Sequence, residues 1–306
     1  MTARLLRLVA AALLVAALAW LALWWRQGAP ATALLGALAI MLLQPWVLAA
    51  EFLSLPWQNR RDPAPPATAA DLLRAWLREA VTALRVFQGR QAWREWAEPD
   101  VAPEGHAGHR AVVLVHGFFC NRALWNPWLR RLRGAGVPAL AVNLEPSFDS
   151  IDVYAPQIDA AVERAWRATG LAPVLVGHSM GGLAIRAWWR MMGDAADSRV
   201  HHVITIGTPH HGTQMAAFSR ARNARQMRRG SAWLRDLAAA EPGTRLGRFT
   251  CFYSHCDNIA TPASTATLPG ADNRHLPGWP HVALAFAPPV WEAVWQCVDP
   301  MRLRTP

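Results

Sequence analysis

The sequence predicts an α/β fold, a mostly parallel sheet flanked by helices, and two observations carry that prediction. From Ala111 onward, short apolar runs ("AVVLV", "ALAVN", "PVLVG", "VITIG", "FTCFYS") alternate with amphipathic segments such as residues 151–169 and 182–192. Strands apolar on both faces belong to a sheet covered by helices on each side, and strand–helix alternation makes the connections parallel. The second observation is a glycine-flanked serine where one of these strands passes into a helical pattern, "LVGHSMGGLA" at residues 175–184.

The chain has 306 residues, enough for one such domain plus additional segments. Its net charge is +10, and every one of the 31 basic residues is arginine. Such a charge suits nucleic acid or anionic lipid. No nucleic-acid motif lies among the arginines, so no nucleic-acid partner is expected. An anionic membrane face is the more economical reading, because the chain starts with membrane-like segments. The four cysteines show no tight CxxC spacing and define neither a metal site nor a redox compartment.

Residues 8–25 are uncharged and apolar, preceded by Arg4 and Arg7, and a second apolar run at 31–50 is interrupted by Gln44 and Pro45. Each approaches the roughly 20 residues that cross a hydrocarbon core. "RQGAP" between them reads as a turn, and Trp24, Trp25, Trp46 and Trp57 sit near the ends, where membrane interfaces favour aromatic rings. Residues 1–55 are therefore expected to form a two-helix transmembrane hairpin that anchors the protein to a membrane. A cleaved signal peptide is the competing reading for the first run. Arginines before the first run and after the second place both ends in the cytoplasm, and cleavage would reverse that side. Residues 56–108 read as a proline-rich linker followed by an amphipathic helix at 71–87, and residues 109–306 as the α/β domain.

Gly177-His178-Ser179-Met180-Gly181 matches G-x-S-x-G between a strand and a helix. Reversal in so short a space leaves little room beside the serine, hence the glycines at 177 and 181. It also lifts the hydroxyl out of the sheet and turns the following backbone N–H groups toward a reacting oxygen. The plainer reading is a capping serine on an ordinary turn. Upstream, "VVLVHGFFCN" puts His116-Gly117 directly after a strand.

With "HGFF", "GHSMGG", "TIGTPHHGT" at 205–213 and the later "GSAWLRDL", the chain resembles the α/β-hydrolase superfamily, and within it bacterial lipases and membrane-associated esterases, over about residues 111–298. The resemblance implies Ser179 as nucleophile and the backbone N–H groups of Phe118 and Met180 as an oxyanion hole. It also implies an acid and a histidine following in that order. Asp257 lies at the carboxyl end of the late strand "FTCFYS", before "NIATP", and is the expected acid, with Asp272 as substitute. Only His275 and His281 lie beyond Asp257, and "GWPHVALAF" favours His281. His116 and His178 are expected to orient loops.

His210 and His211 are adjacent, and adjacent side chains point apart, so neither a metal nor a cofactor is expected. The resemblance implies that the arginine-rich stretch at about 213–247 is a helical lid, and a solvated charged helix is the plainer reading. The substrate expected is a lipid or another ester, and the membrane a bacterial inner membrane. A thioesterase or acyltransferase would use the same three residues, and a catalytically dead fold would serve as a membrane scaffold. Protein partners leave no signal in the sequence.

Overall fold

A computed structural model describes residues 1–101 and 108–299. α1 (Thr2–Arg26) is long and apolar enough to cross a membrane, and most of it is exposed. The second apolar run differs from the single span expected. α2 (Pro30–Met41) and α3 (Leu43–Gln58) meet at a 64° bend. Pro45 explains the break: it has no N–H for the Met41 carbonyl, and its ring crowds that carbonyl. α2 alone, at 12 residues, falls short of a span.

α3 runs back against the remainder of the molecule. Asn258 Nδ2 donates to Glu51 Oε2 at 2.6 Å, and Ala263 N donates to Asn59 Oδ1 at 3.0 Å. The proline-rich stretch is likewise fastened down, with Ser264 N and Oγ both donating to Asp62 Oδ2. α4 (Ala69–Ala83) opens with a capping box between Thr68 and Asp71 and buries Ala75, Ala80 and Ala83. It continues into a π-helical stretch, Leu84–Gln91.

The sheet comprises β1 (Val112–Val115), β2 (Ala139–Val142), β3 (Val174–His178), β4 (His202–Ile206), β5 (Phe249–Tyr253) and β6 (Asp272–His275). They lie in the order β2-β1-β3-β4-β5-β6, and every pair is parallel. The five apolar runs are β1 to β5. β6, "DNRH", is a largely exposed edge strand with no apolar residue to mark it.

Five longer helices flank or link these strands: α5 (Asn126–Gly134), α6 (Ala155–Thr169), α7 (Met180–Met192), α9 (Ala232–Ala239) and α12 (Pro288–Val298), with α8 (Arg222–Gln226), α10 (Gly243–Leu246) and α11 (His281–Leu284) as short turns. Val113, Val115 and Leu175 face a core shared with Ile158, Val162, Ile185 and Trp188 of α6 and α7. Val112, Leu114 and Val176 face the opposite core, with Leu129 of α5 and Val290 and Val294 of α12. The chain goes from β1 to one side for β2 and to the other for β3. The crevice at the carboxyl ends of β1 and β3 is thus the switch point where doubly wound sheets bind ligands.

The 213–247 stretch forms α8, α9 and α10 with a short 3-10 turn, packed beside α7. Met227, Leu234 and Leu237 join the α6/α7 core. Arg186 of α7 and Glu241 form a bidentate ion pair at 2.8 and 2.5 Å, with side chains only 2% and 3% exposed. Removing one partner of a buried pair strands the other charge. Glu241→Gln is expected to destabilise the protein by about 3 kcal/mol, measured by urea unfolding followed by tryptophan fluorescence. Arg164→Ala removes an exposed partner of Asp100 and is expected to cost less than about 1 kcal/mol.

Candidate active site

Ser179 ends β3 and precedes α7 with φ +55°, a region costly for any residue bearing a Cβ. Its N–H donates to the Ile206 carbonyl at 2.8 Å, fastening the turn to β4. The helix start passes hard against β1: a Cβ on Gly181 would lie 2.3 Å from the Val115 carbonyl oxygen. Gly177 and His178 close β3 on the strand side of this elbow, and His178 Nε2 lies 3.0 Å from the His281 carbonyl oxygen. Burial holds His178 neutral, at a pKa of about 3.

The turn after β1 meets this one. Cys120 N donates to Gly117 O, and Phe119 at the turn's third position has φ +57°. Among the described residues, Ser179 and Phe119 are the only non-glycine positions with positive φ. A Cβ on Gly117 would stand 2.8 Å from the Ser179 Cβ, so the two turns are in direct apposition. Phe118 and Met180, the expected oxyanion donors, follow Gly117 and Ser179 immediately. Met180 is the first residue of α7, where a backbone N–H has no acceptor within the helix. His116 braces the β1 turn. Its Nε2 accepts from Leu144 N at 3.0 Å, which leaves the proton on Nδ1, 2.9 Å from Gly117 O. Burial lowers its pKa to about 4, so it stays neutral.

Asp257 and His281 come together from loops after β5 and β6. His281 Nδ1 lies 2.9 Å from both carboxylate oxygens, and Asp257 Oδ1 also accepts from Ile259 N and Ala260 N. Gly207 (φ +56°) must be glycine, since a Cβ there would fall 2.7 Å from Asp257 Oδ2. Burial alone would push His281 down, but the Asp257 charge and hydrogen bond outweigh it and hold the imidazole above its ordinary value. Asp272 and His275 are elsewhere, on the edge strand β6, where Asp272 pairs with Arg274 and His275 packs tilted against Tyr253. His210, for its part, hydrogen-bonds Thr205 Oγ1 and faces Arg186.

Ser179 and His281 line one cavity of about 290 Å³. Half of its remaining wall residues come from the N-terminal region, including Val47, Glu51, Glu79 and Phe87, and Phe118 and Phe119 are among the others. None of its wall residues comes from 213–247.

Two supporting residues escaped the sequence reading. Glu79, fully buried, accepts from Val282 N at 2.7 Å and Ala283 N at 3.0 Å, capping from outside the short helix that begins with His281. It stands four residues after Ala75 and three after Trp76, on the apolar face of α4, and a lone carboxylate there was the available signal. Gln91, in the π-helical stretch, accepts from Asn121 N at 2.7 Å through Oε1, while Asn121 Nδ2 donates to its carbonyl. It thereby supports the segment that follows the Phe118 turn.

A family model described as the alpha/beta hydrolase family matches residues 112–302, more than half of the chain. The chain belongs to the alpha/beta hydrolase family. The hydrolase is 35% identical over 128 residues to a triacylglycerol lipase of Burkholderia plantarii, covering 39% of this chain and 35% of that protein. It is 35% identical over 116 residues to a triacylglycerol lipase of Pseudarthrobacter phenanthrenivorans, covering 35% of each. It thus spans about a third of the length of these relatives. The mature lipase BlEst2 of Bacillus licheniformis shares the fold, with TM-score 0.53 and 20% identity over 61% of this chain and 92% of that one. Lipase B of Aspergillus fumigatus matches at TM-score 0.53 and 18% identity, over 64% and 55%.

The negative charge of Glu79 helps hold the His281 pKa up, while burial raises Glu79 itself to about 7 against the pull of its two N–H donors. Glu79→Gln removes that charge, so the His281 pKa is expected to fall. Titration of ¹³C-labelled histidine by NMR, with His281→Gln to assign the signal, measures the shift. An unmoved or higher value would contradict this coupling.

Proposed function

We propose that this hydrolase cleaves carboxylic esters through an acyl-serine intermediate, as a lipase or esterase. The observation that carries the reading is the strained Ser179 turn opening into the same cavity as a histidine whose Nδ1 is held by a buried carboxylate. The likeness to two triacylglycerol lipases supports the substrate class.

In this reading Ser179 Oγ attacks the ester carbonyl carbon as His281 Nε2 takes its proton. Asp257 fixes the tautomer with the proton on Nδ1, leaving Nε2 to act as base, and stabilises the imidazolium that forms. The carbonyl electron pair moves onto oxygen, where the Phe118 and Met180 N–H groups receive it, and two such donors matter because losing one costs roughly 10²–10³ in rate. Collapse breaks the carbon–oxygen bond to the alcohol, which leaves with the proton from His281. Water then repeats the sequence on the acyl-serine and releases the acid.

The apolar, exposed α1 and the arginine-rich composition support a location at a membrane, with α1 as a span. In this arrangement α1 is the membrane-embedded part, and α3 packs against the catalytic part, residues 109–306.

Hydrolysis of nitrophenyl esters from two to sixteen carbons by the full chain in detergent tests the proposal. Ser179→Ala is expected to reduce turnover to background, and Asp257→Asn to lower kcat by roughly 10⁴. Because His281 must be neutral to accept the proton and its pKa is raised, kcat/KM is expected to rise with pH through a limb lying above the ordinary imidazole value. Equal turnover by wild type and Ser179→Ala would refute the nucleophile. A folded but inert wild type that forms an acyl-enzyme would favour acyl transfer.

A further inference from the structure

The cavity above Ser179 does not end at its own walls. A second cavity of about 310 Å³ adjoins it, and Gln44, Val47, Phe87 and Phe119 line both. Beyond these shared residues the walls are Leu6, Val9, Ala10 and Leu13 of α1 with Leu43 of α3. The only polar side chains there, Gln44 and Gln88, hydrogen-bond each other at 3.3 Å. Ionisable groups are confined to the Ser179 end, where Glu51 and Glu79 are already engaged by Asn258 and by the His281 helix. Titratable side chains thus line the serine's chamber and not the outer one. Val9, Leu43 and Val47 are each about half exposed, so the outer chamber opens along the apolar side of α1.

We infer that the groove between α1 and α3 is the acyl-chain site of this enzyme, and that the substrate is an ester of a long linear fatty acid whose tail enters alongside α1. The inference rests on Ser179 as the acyl acceptor, since adjacency to the serine's cavity is what selects an acyl tail as occupant. Each chamber alone is at the lower limit of ligand pockets, about 300–1,000 Å³, while the pair accommodates an extended chain. The walls of the outer chamber lie mostly outside residues 112–302, so they are a feature of this chain beyond the part the family model matches.

The measurement is the ratio of kcat/KM for nitrophenyl hexadecanoate to that for nitrophenyl butyrate, by the full chain in detergent. Ala10→Trp fills the outer chamber and is expected to lower the ratio at least tenfold, since a single methylene in an apolar pocket is worth about 10-fold or more. Ala10→Leu, a smaller change that guards against misfolding, is expected to give an intermediate ratio. Leu14→Trp, at a half-exposed position of α1 outside the groove walls, is the control and is expected to keep the wild-type ratio.

A second readout, fluorescence titration of Ser179→Ala with pyrene-dodecanoic acid, needs no turnover. Binding weakened at least tenfold by Ala10→Trp supports the groove even if the wild type hydrolyses nothing, a result that would sink the Ser179 reading alone. An unchanged ratio in both Ala10 variants, an equal fall in Leu14→Trp, or binding indifferent to Ala10→Trp would overturn the acyl-chain site.

Discussion

A side chain held at φ +55° costs about 1–3 kcal/mol, and Ser179 keeps that conformation because its surroundings leave no other. Its N–H is committed to β4, the start of α7 is pressed onto the end of β1, and the Gly117 turn abuts its Cβ. Parallel pairing of β1, β3 and β4 is what brings these three neighbours to one point. The hydroxyl is consequently presented at the carboxyl edge of the sheet, with the N–H groups at the start of α7 beside it. The positive φ at Phe119 is the matching distortion on the other side of the crevice, so both strained non-glycine residues lie on the two turns that meet.

The N-terminal region is part of this arrangement. One continuous helical segment, α4 with its π-helical extension, holds both halves of the site: Glu79 near its middle caps the His281 helix, and Gln91 at its end grips Asn121 beyond the Phe118 turn. π-helical stretches often occur where a helix must serve a functional site, and here the altered winding brings Phe87 to the cavity while Gln91 meets Asn121. α3 adds Glu51 and Val47 to the same cavity. α3, part of the run that a composition reading assigns to a membrane, therefore also walls the serine cavity.

The sheet was legible because β1 to β5 are buried on both faces and spell apolar runs, and the Ser179 turn was legible because its steric demands force glycine into fixed spacing. Asp257 and His281 could be placed from chain order and local context, and the structure puts them in contact. β6 was invisible since an exposed edge strand needs no apolar residues. The bend at Leu42 follows from Pro45, yet the surrounding composition reads as an uninterrupted span. Glu79 was hidden for a different reason: its partners, Val282 and Ala283, lie more than two hundred residues away. No local pattern records which distant N–H groups a buried carboxylate will meet. The source of the cavity walls was hidden likewise, because an arginine-rich stretch with an apolar side resembles a cover whether it lies over the serine or, as here, beside α7.

Covalent labelling with an alkyl fluorophosphonate, followed by peptide mass spectrometry, tests the central claim most directly. The serine oxygen displaces fluoride only where a base withdraws its proton and donors stabilise the phosphoryl oxygen. The account predicts one adduct on the folded protein, on the peptide containing Ser179, and none after the protein is unfolded. A folded protein that acquires no adduct, or acquires it on another residue, would contradict it.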